Sequence, residues 1–472
     1  MRGGLKNWGF GVAVLIALGP ASGLAQDETV ITAAHVLERI QDNGDYAITT
    51  AAADIDIARA RLAEADAGLM PTLSLSATGQ FYRPSADKKY PDDNAEAYGK
   101  LEVVQPIYDF GKRASAQDAA AKLAEAAEQS LISARNTVLL EGLALFYNLH
   151  ASELEVRGLN ESHTSAYLKW DRAKESLALG RASPVEVAKA LSLAEQSRLI
   201  YYRERTRNAG YRLRLEELMG AALPEELISP PKSPKTKHAE ISRDKFLAAV
   251  MEHNPDLAVL AKQGEALGLT RDGMSSSPSL NAFASTEYTT RDLRGRNDYA
   301  LGARLSWPIF DGGVTAAKKT RLAAEQSRLN AKFEAKKSDL RRRALGAVMS
   351  LNDAYQRVLA ALAQHDYTSK NLLRRQQLYA QERVSELGSA MIDHTKAEAE
   401  LVRATGAYRM AQARIAVLLG EQPGRGIGPD FMTAQGLTEQ NSGSFVPKSG
   451  TGFGQNDAEE FKRQDIVPPP TQ

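Results

Sequence analysis

The chain has 472 residues, a formal net charge of +1 and no cysteine. Its length allows two or more ordinary domains, and so balanced a charge provides no field that would gather nucleic acid. The missing cysteine excludes disulfides, thiolate metal sites, thiol nucleophiles and a lipidated N-terminal Cys.

Arg2 and Lys6 precede an apolar run from Trp8 to Gly19, too short to span a bilayer as a helix. Small residues at Gly23 and Ala25 follow, the pattern of an export signal over residues 1–25. No later segment is an apolar helix of spanning length, so a membrane span would have to use strands.

The remainder reads as two copies of one unit. Asn43-Gly44-Asp45-Tyr46 corresponds to Asn254-Pro255-Asp256-Leu257, and Pro71-Thr72-Leu73 to Pro278-Ser279-Leu280. Pro106-Ile107-Tyr108-Asp109-Phe110-Gly111 corresponds to Pro308-Ile309-Phe310-Asp311-Gly312-Gly313, and Ala182–Ala190 to Ser389–Ala397. The first repeat is expected over 26–228, with a helix at about Thr32–Leu69, strands at 71–83 and 97–108, a long helix at 111–180 and a helix at 184–220. A Pro- and Lys-rich linker covers 229–240. The second repeat covers 241–420, with a helix, strands at 278–290 and 298–310, a long helix at 313–387 and a helix at 391–419. The tail over 421–472, rich in Gly, Pro, Ser and charge, is expected to be disordered.

The strands alternate with period two. Leu73, Leu75, Ala77, Gly79 and Phe81 share one face, with Thr72, Ser74, Ser76, Thr78 and Gln80 opposite. Tyr299, Leu301, Ala303, Leu305 and Trp307 oppose Arg304 and Ser306, and Leu101 and Val103 oppose Lys100 and Glu102. Phe283 breaks the alternation of its strand. In the first long helix, Leu123, Ala127, Leu131, Ala134, Val138, Gly142, Leu145 and Leu149 recur at spacings of three and four. In the second, Ala344, Ala347, Leu351, Ala354, Val358 and Ala361 form a seven-residue repeat. Roughly 70 helical residues reach about 105 Å, and each long helix matches two shorter ones stacked end to end.

Four strands are too few to close a barrel, which takes about eight. Open sheet edges cannot face lipid, because each unpaired backbone group there costs several kcal/mol. Several chains must therefore pool their hairpins into one barrel, with the helices continuing the ring into water. Lys100, Glu102 and Arg304 then fit a wet barrel lumen.

"QPIYDFGKR" and "WPIFDGGV", each following an alternating strand and opening a long helix, resemble the signature of the TolC-like outer-membrane efflux proteins. "LGRASPVEV" and "LGSAMIDHT" resemble that family's helix-turn-helix tips. The resemblance runs from about Thr32 to Gly420. It implies a mainly α fold with a β-barrel portion. A homotrimer would share a twelve-stranded outer-membrane barrel above a periplasmic helical tunnel. It also implies two kinds of partner, a periplasmic adaptor and an inner-membrane transporter of the ABC or proton-driven type.

On this resemblance Gly180, Arg181, Ala182, Ser183, Pro184 and Val185 form the first adaptor-docking tip, and Gly388, Ser389, Ala390 and Met391 the second. Gly180 and Gly388 reverse the chain, and Pro184 suits a first helical turn. Asp393 and Glu186, just past the tips, are candidates for a periplasmic gate, Asp393 foremost because the family's acidic gate lies in the second repeat. Three copies of Asp393 would crowd like charges around an axis and act on cations; the plainer reading is a first-turn carboxylate favoured by the helix dipole. Pro106, Asp109, Gly111, Pro308, Asp311, Gly312 and Gly313 form the strand-to-helix joints.

The seven His residues show no metal-ligand spacing, and His394 reads as a solvated helix residue. Asp311-Gly312-Gly313 is no phosphate loop, since no Gly-Lys-Ser/Thr follows. No nucleophile-base pair or carboxylate dyad stands out, so neither an enzyme nor a cofactor is expected. The competing readings are a periplasmic helical-hairpin adaptor and a structural coiled coil.

Overall fold

A computed structural model describes residues 31–82, 94–223, 240–274, 277–289, 296–381 and 386–424. The export segment, nearly all of the linker and the tail beyond 424 lie outside the described residues. The chain runs α1 (Ala33–Asn43), α2 (Tyr46–Ala67), β1 (Thr72–Tyr82), β2 (Asn94–Tyr108), α3 (Lys112–Ala178) and α4 (Pro184–Met219). It continues α5 (Arg243–His253), α6 (Pro255–Asp272), β3 (Ser279–Thr289), β4 (Arg296–Ser306), α7 (Val314–Ala380) and α8 (Leu387–Leu418).

The single helix expected before each strand pair is two. Gly44 ends α1 at φ 68°, and the Asp45 carboxylate caps α2 by accepting from the Ala47 amide at 2.8 Å. Pro255 makes the second break, because it has no N–H to continue α5. Asn254 then caps α6 through the Asp256 amide at 3.1 Å.

α3 and α7 each have 67 residues, about 100 Å at 1.5 Å per residue. The helices form a row one layer thick. α2 and α4 lie along one side of α3, and α6 and α8 along its other side. α8 and, more briefly, α6 also line α7, while α3 and α7 do not pack on each other. The outer flanks of the row, α2 with α4 and α7, have no helix against them among the described residues. Leu199, Tyr202 and Leu213 of α4 and Met349, Tyr367 and Leu373 of α7 are exposed.

The core sits mid-row in two clusters. The first joins Val36, Leu37 and Ile40 of α1 to Leu139, Leu143, Phe146 and Leu149 of α3 and Leu215 and Leu218 of α4. The second joins Phe246 and Val250 of α5 to Leu340, Leu351 and Val358 of α7 and Tyr408 and Ile415 of α8. The seven-residue stripe of α7 is buried from Ala344 to Ala361 and faces a matching stripe on α8, Ala390, Ala397, Ala404 and Ala411. Small residues at both stripes let the helices approach closely.

The stripe expected on α3 needs correction. Leu123 is exposed and Leu145 only half-buried, whereas Leu139, Leu143, Phe146 and Tyr147 are buried. The reason is that α3 has neighbours along both sides, so it buries two stripes whose sum hides any single period.

Candidate functional site

The four strands form one antiparallel sheet in the order β1-β2-β3-β4, and among the described residues no helix packs across either face. Register puts Leu73, Val103, Ala284 and Leu301 in one row, and Leu75, Leu101, Thr286 and Tyr299 in the next. This apolar face is bare: Leu75 is 78% exposed and Leu301 86%. Contiguous apolar area on that scale marks a surface meant for lipid or protein. Among the described helices, none is long and apolar enough to cross a membrane.

The opposite face is polar, and it gathers the three residues expected in the lumen. Lys100 pairs with Glu102 at 3.2 Å, and Arg304 reaches Glu102 at 3.4 Å. Phe283, whose position broke the alternation, lies beneath Arg304, with the guanidinium 4.8 Å from its ring centroid. Gly302, opposite Phe283 in the ladder, leaves room for that ring; a Cβ there would sit 3.2 Å from it. The irregular letter thus marked a cation–π contact, a role its residue type alone does not announce.

The joints turn each strand into a long helix. Asp311 Oδ1 accepts from the Gly313 amide at 3.0 Å and Oδ2 from the Thr315 amide at 2.9 Å. These hydrogen bonds, Thr315's foremost, hold its carboxyl below the usual carboxylate range. Asp109 plays the same part for α3, accepting from the Arg113 amide and pairing with its guanidinium, both at 3.1 Å. Gly111 and Gly313 stand at φ 83° and 88°, the left-handed region that a side chain resists. Gly312 shares that geometry at φ 67°, but its counterpart is Phe110 at φ 58°, whose ring meets Tyr108 edge-on at 4.8 Å. Pro106 lies past the end of β1, where β2 has a single strand beside it, next to a register shift at Tyr108. Pro308 lies two residues past the end of β4. Around both joints Ile107, Tyr108, Phe110, Trp307, Ile309 and Phe310 are exposed, an apolar and aromatic belt at one end of the sheet.

At the far end Gly180 and Pro184 take the turn and first-helical-position geometry expected of them. Gly180 turns at φ 68°, and the Arg181 amide donates back to the Ser176 carbonyl at 2.8 Å. Ser183 and Glu186 form a reciprocal capping box, with the Glu186 amide on Ser183 Oγ at 3.2 Å and the Ser183 amide on Glu186 Oε2 at 2.8 Å. Pro184 takes the first helical position, and Arg181 and Val185 are exposed. The Glu186 carboxylate is therefore occupied by the backbone.

The second tip differs from the expected one. α7 ends at Ala380 and α8 begins at Leu387, so Gly388, Ser389, Ala390 and Met391 are helical rather than turn residues. Gly388 has no left-handed φ, and Ala390 is buried at 3% exposure because it starts the heptad stripe of α8. Starting α8 four residues early buries one more seam residue. Asp393 consequently lies in the second turn of α8, beyond the turn where the dipole reading would place it. Residues 382–385 lie outside the described residues.

Asp393 and Glu186 line one groove of about 970 Å³ between the two hairpins. Lys169, Arg172, Lys189 and Lys396 line it too, a set of cations with no distinctive spacing in sequence. Above the groove the hairpins are joined by Leu154 and Ala151 of α3 against Ala399 and Val402 of α8, and by the Arg403–Glu155 ion pair. His394, read as solvated, is half-buried, and its ring meets that of His365 on α7. No group of three or more His, Asp or Glu side chains suited to a metal occurs among the described residues.

Residues 43–221 match the family model for outer membrane efflux protein. No curated protein matches the chain. Among solved structures, the CmeC outer membrane channel of Campylobacter jejuni aligns at a TM-score of 0.67 and 14% identity, over 93% of this chain and 98% of that one. A membrane protein from Pseudomonas aeruginosa aligns at 0.65 and 18%, over 82% and 90%. The outer membrane protein VceC of Vibrio cholerae aligns at 0.62 and 16%, over 82% and 96%. At such identities these likenesses establish the fold. The fold is that of these outer-membrane channels, and residues 43–221 are similar to the outer membrane efflux protein family.

Proposed function

We propose that three copies of this chain pool their sheets into a twelve-stranded barrel in the outer membrane and their helix rows into a periplasmic tunnel, forming a passive exit duct. One observation carries the reading: a four-stranded sheet with a bare apolar face, a charged opposite face and two unpaired edge strands. In lipid the edges β1 and β4 must be paired, and three sheets of four strands exceed the roughly eight that a barrel requires. The unpartnered flanks of the helix row close by the same operation, α7 of one copy against α2 and α4 of the next.

The duct needs no cofactor and no catalytic group. Polar lumen residues wet the barrel, while the joints carry each strand into a helix with little slack. The hairpin tips would dock a periplasmic adaptor coupled to an inner-membrane transporter of the ABC or proton-driven type, which supplies the energy. Arg181, Ala182, Ser183, Pro184 and Val185 form one contact, and Ser389 and Met391 the other. Asp393 is the preferred gate residue, because the Glu186 carboxylate already caps its own helix. An adaptor or a plain coiled coil leaves the amphipathic sheet without a purpose. The test is single-channel recording on detergent-extracted protein in planar bilayers. Discrete conductance steps support a duct; an insulating bilayer at saturating protein refutes it.

A further inference from the structure

His365 of α7 and His394 of α8 face each other across the helix seam, with ring centroids 5.1 Å apart and planes inclined by 42°. Their neighbours on the seam, Ala361, Ala390 and Ala397, are small and buried, and this is what lets two rings meet. Both rings are half-buried, and His394 Nδ1 is shielded from solvent with no hydrogen-bond partner in the structure. Such an orphaned polar atom costs about 1–3 kcal/mol, a cost that a ligand at that nitrogen would remove.

We propose that His365 and His394 form a two-histidine site for a late first-row divalent metal ion, which joins α7 to α8 near the hairpin end. Neutral imidazole is the commonest metal-binding side chain and suits copper, nickel and zinc. With nitrogens about 2.0–2.1 Å from a four-coordinate ion, two imidazole centroids fall roughly 5 Å apart, which matches the observed spacing. Water fills the remaining positions. Copper is the strongest expected occupant, since affinity for a given nitrogen site peaks there in the divalent series. The site lies within one chain, so it stands or falls separately from the trimeric duct.

The test uses full-length protein with any affinity tag removed. Cu²⁺ is titrated calorimetrically, and the bound ion is examined by electron paramagnetic resonance. The expected result is one Cu²⁺ per chain with two nitrogen ligands. Binding should weaken roughly tenfold or more in His365→Ala and in His394→Ala. His394→Gln, which preserves bulk at the seam, should show the same loss and so exclude a packing effect. Cu²⁺ should also raise the unfolding temperature of the unaltered protein and leave that of the double His variant unchanged. Equal binding by the double variant, or a signal without two nitrogens, overturns the proposal.

Discussion

Arg304 on β4 extends across Phe283 on β3 to reach Glu102 on β2, so one side chain ties three strands from both halves of the chain. Arg304 is about half-exposed, and such a solvent-screened pair adds little to stability. In the proposed barrel its larger effect would be on charge in the lumen. Arg304→Gln should leave the unfolding midpoint nearly unchanged and shift the reversal potential in a KCl gradient toward K⁺. An unshifted reversal potential would place Arg304 outside the conduction path.

The joints make a prediction about pH. Asp311 is held below the usual carboxylate range by the hydrogen bonds it accepts from Thr315 and Gly313. Its folded-state pKa is depressed, so the stability it adds is present above the unfolded carboxylate value and is lost as pH falls through the folded one. Relative to Asp311→Ala, the unaltered protein should melt higher at neutral pH, and the gap should narrow as pH drops through the acidic range. Thermal melts across that range check it; a gap independent of pH would mean the carboxylate charge plays no part.

Asn43 and Asn254, paired by the repeat, close the far ends of two helices. Asn43 Nδ2 donates to the Leu218 carbonyl of α4 and Asn254 Nδ2 to the Leu418 carbonyl of α8, both at 3.1 Å. Asn254 is buried and Asn43 exposed. Asn254→Ala should therefore cost about 1–3 kcal/mol, because it removes a buried amide that both caps α6 and serves the Leu418 carbonyl, and Asn43→Ala less, because water replaces its exposed amide. Chemical denaturation of both variants tests the ranking, and equal losses would refute it.

Much of this architecture was legible because strand alternation and the α7 heptad each answer to one neighbouring surface. Leu73, Leu301, Ala344 and Leu351 fall where their period puts them. α3 was legible as a helix but not in its packing, since two flanking rows overlay two periods. The second tip was misread because Gly388 resembles a turn residue, while the deciding fact, that Ala390 fits the seam against α7, is tertiary. The groove cations and the His365–His394 meeting come from four helices and left no spacing to find. Phe283 did leave a signal, a large apolar residue on a polar face, whose partner Arg304 lies 21 positions on in the sequence.

Asp393 is the sharpest claim about gating. If Asp393 lines the proposed gate, Asp393→Ala should preserve assembly and weaken block of the pore by multivalent cations, because it would remove one carboxylate per chain from that ring. Glu186→Ala should instead fray the start of α4, costing about 1 kcal/mol through its capping box, with little change in block. Equal block in the unaltered protein and Asp393→Ala would remove Asp393 from the gate.

The central claim is that no single chain completes its own sheet. Native mass measurement of the detergent-extracted protein tests it most directly. The account predicts three chains in one particle that survives extraction only with detergent bound. A stable monomer in plain buffer, with its apolar strand face still accessible, would contradict it.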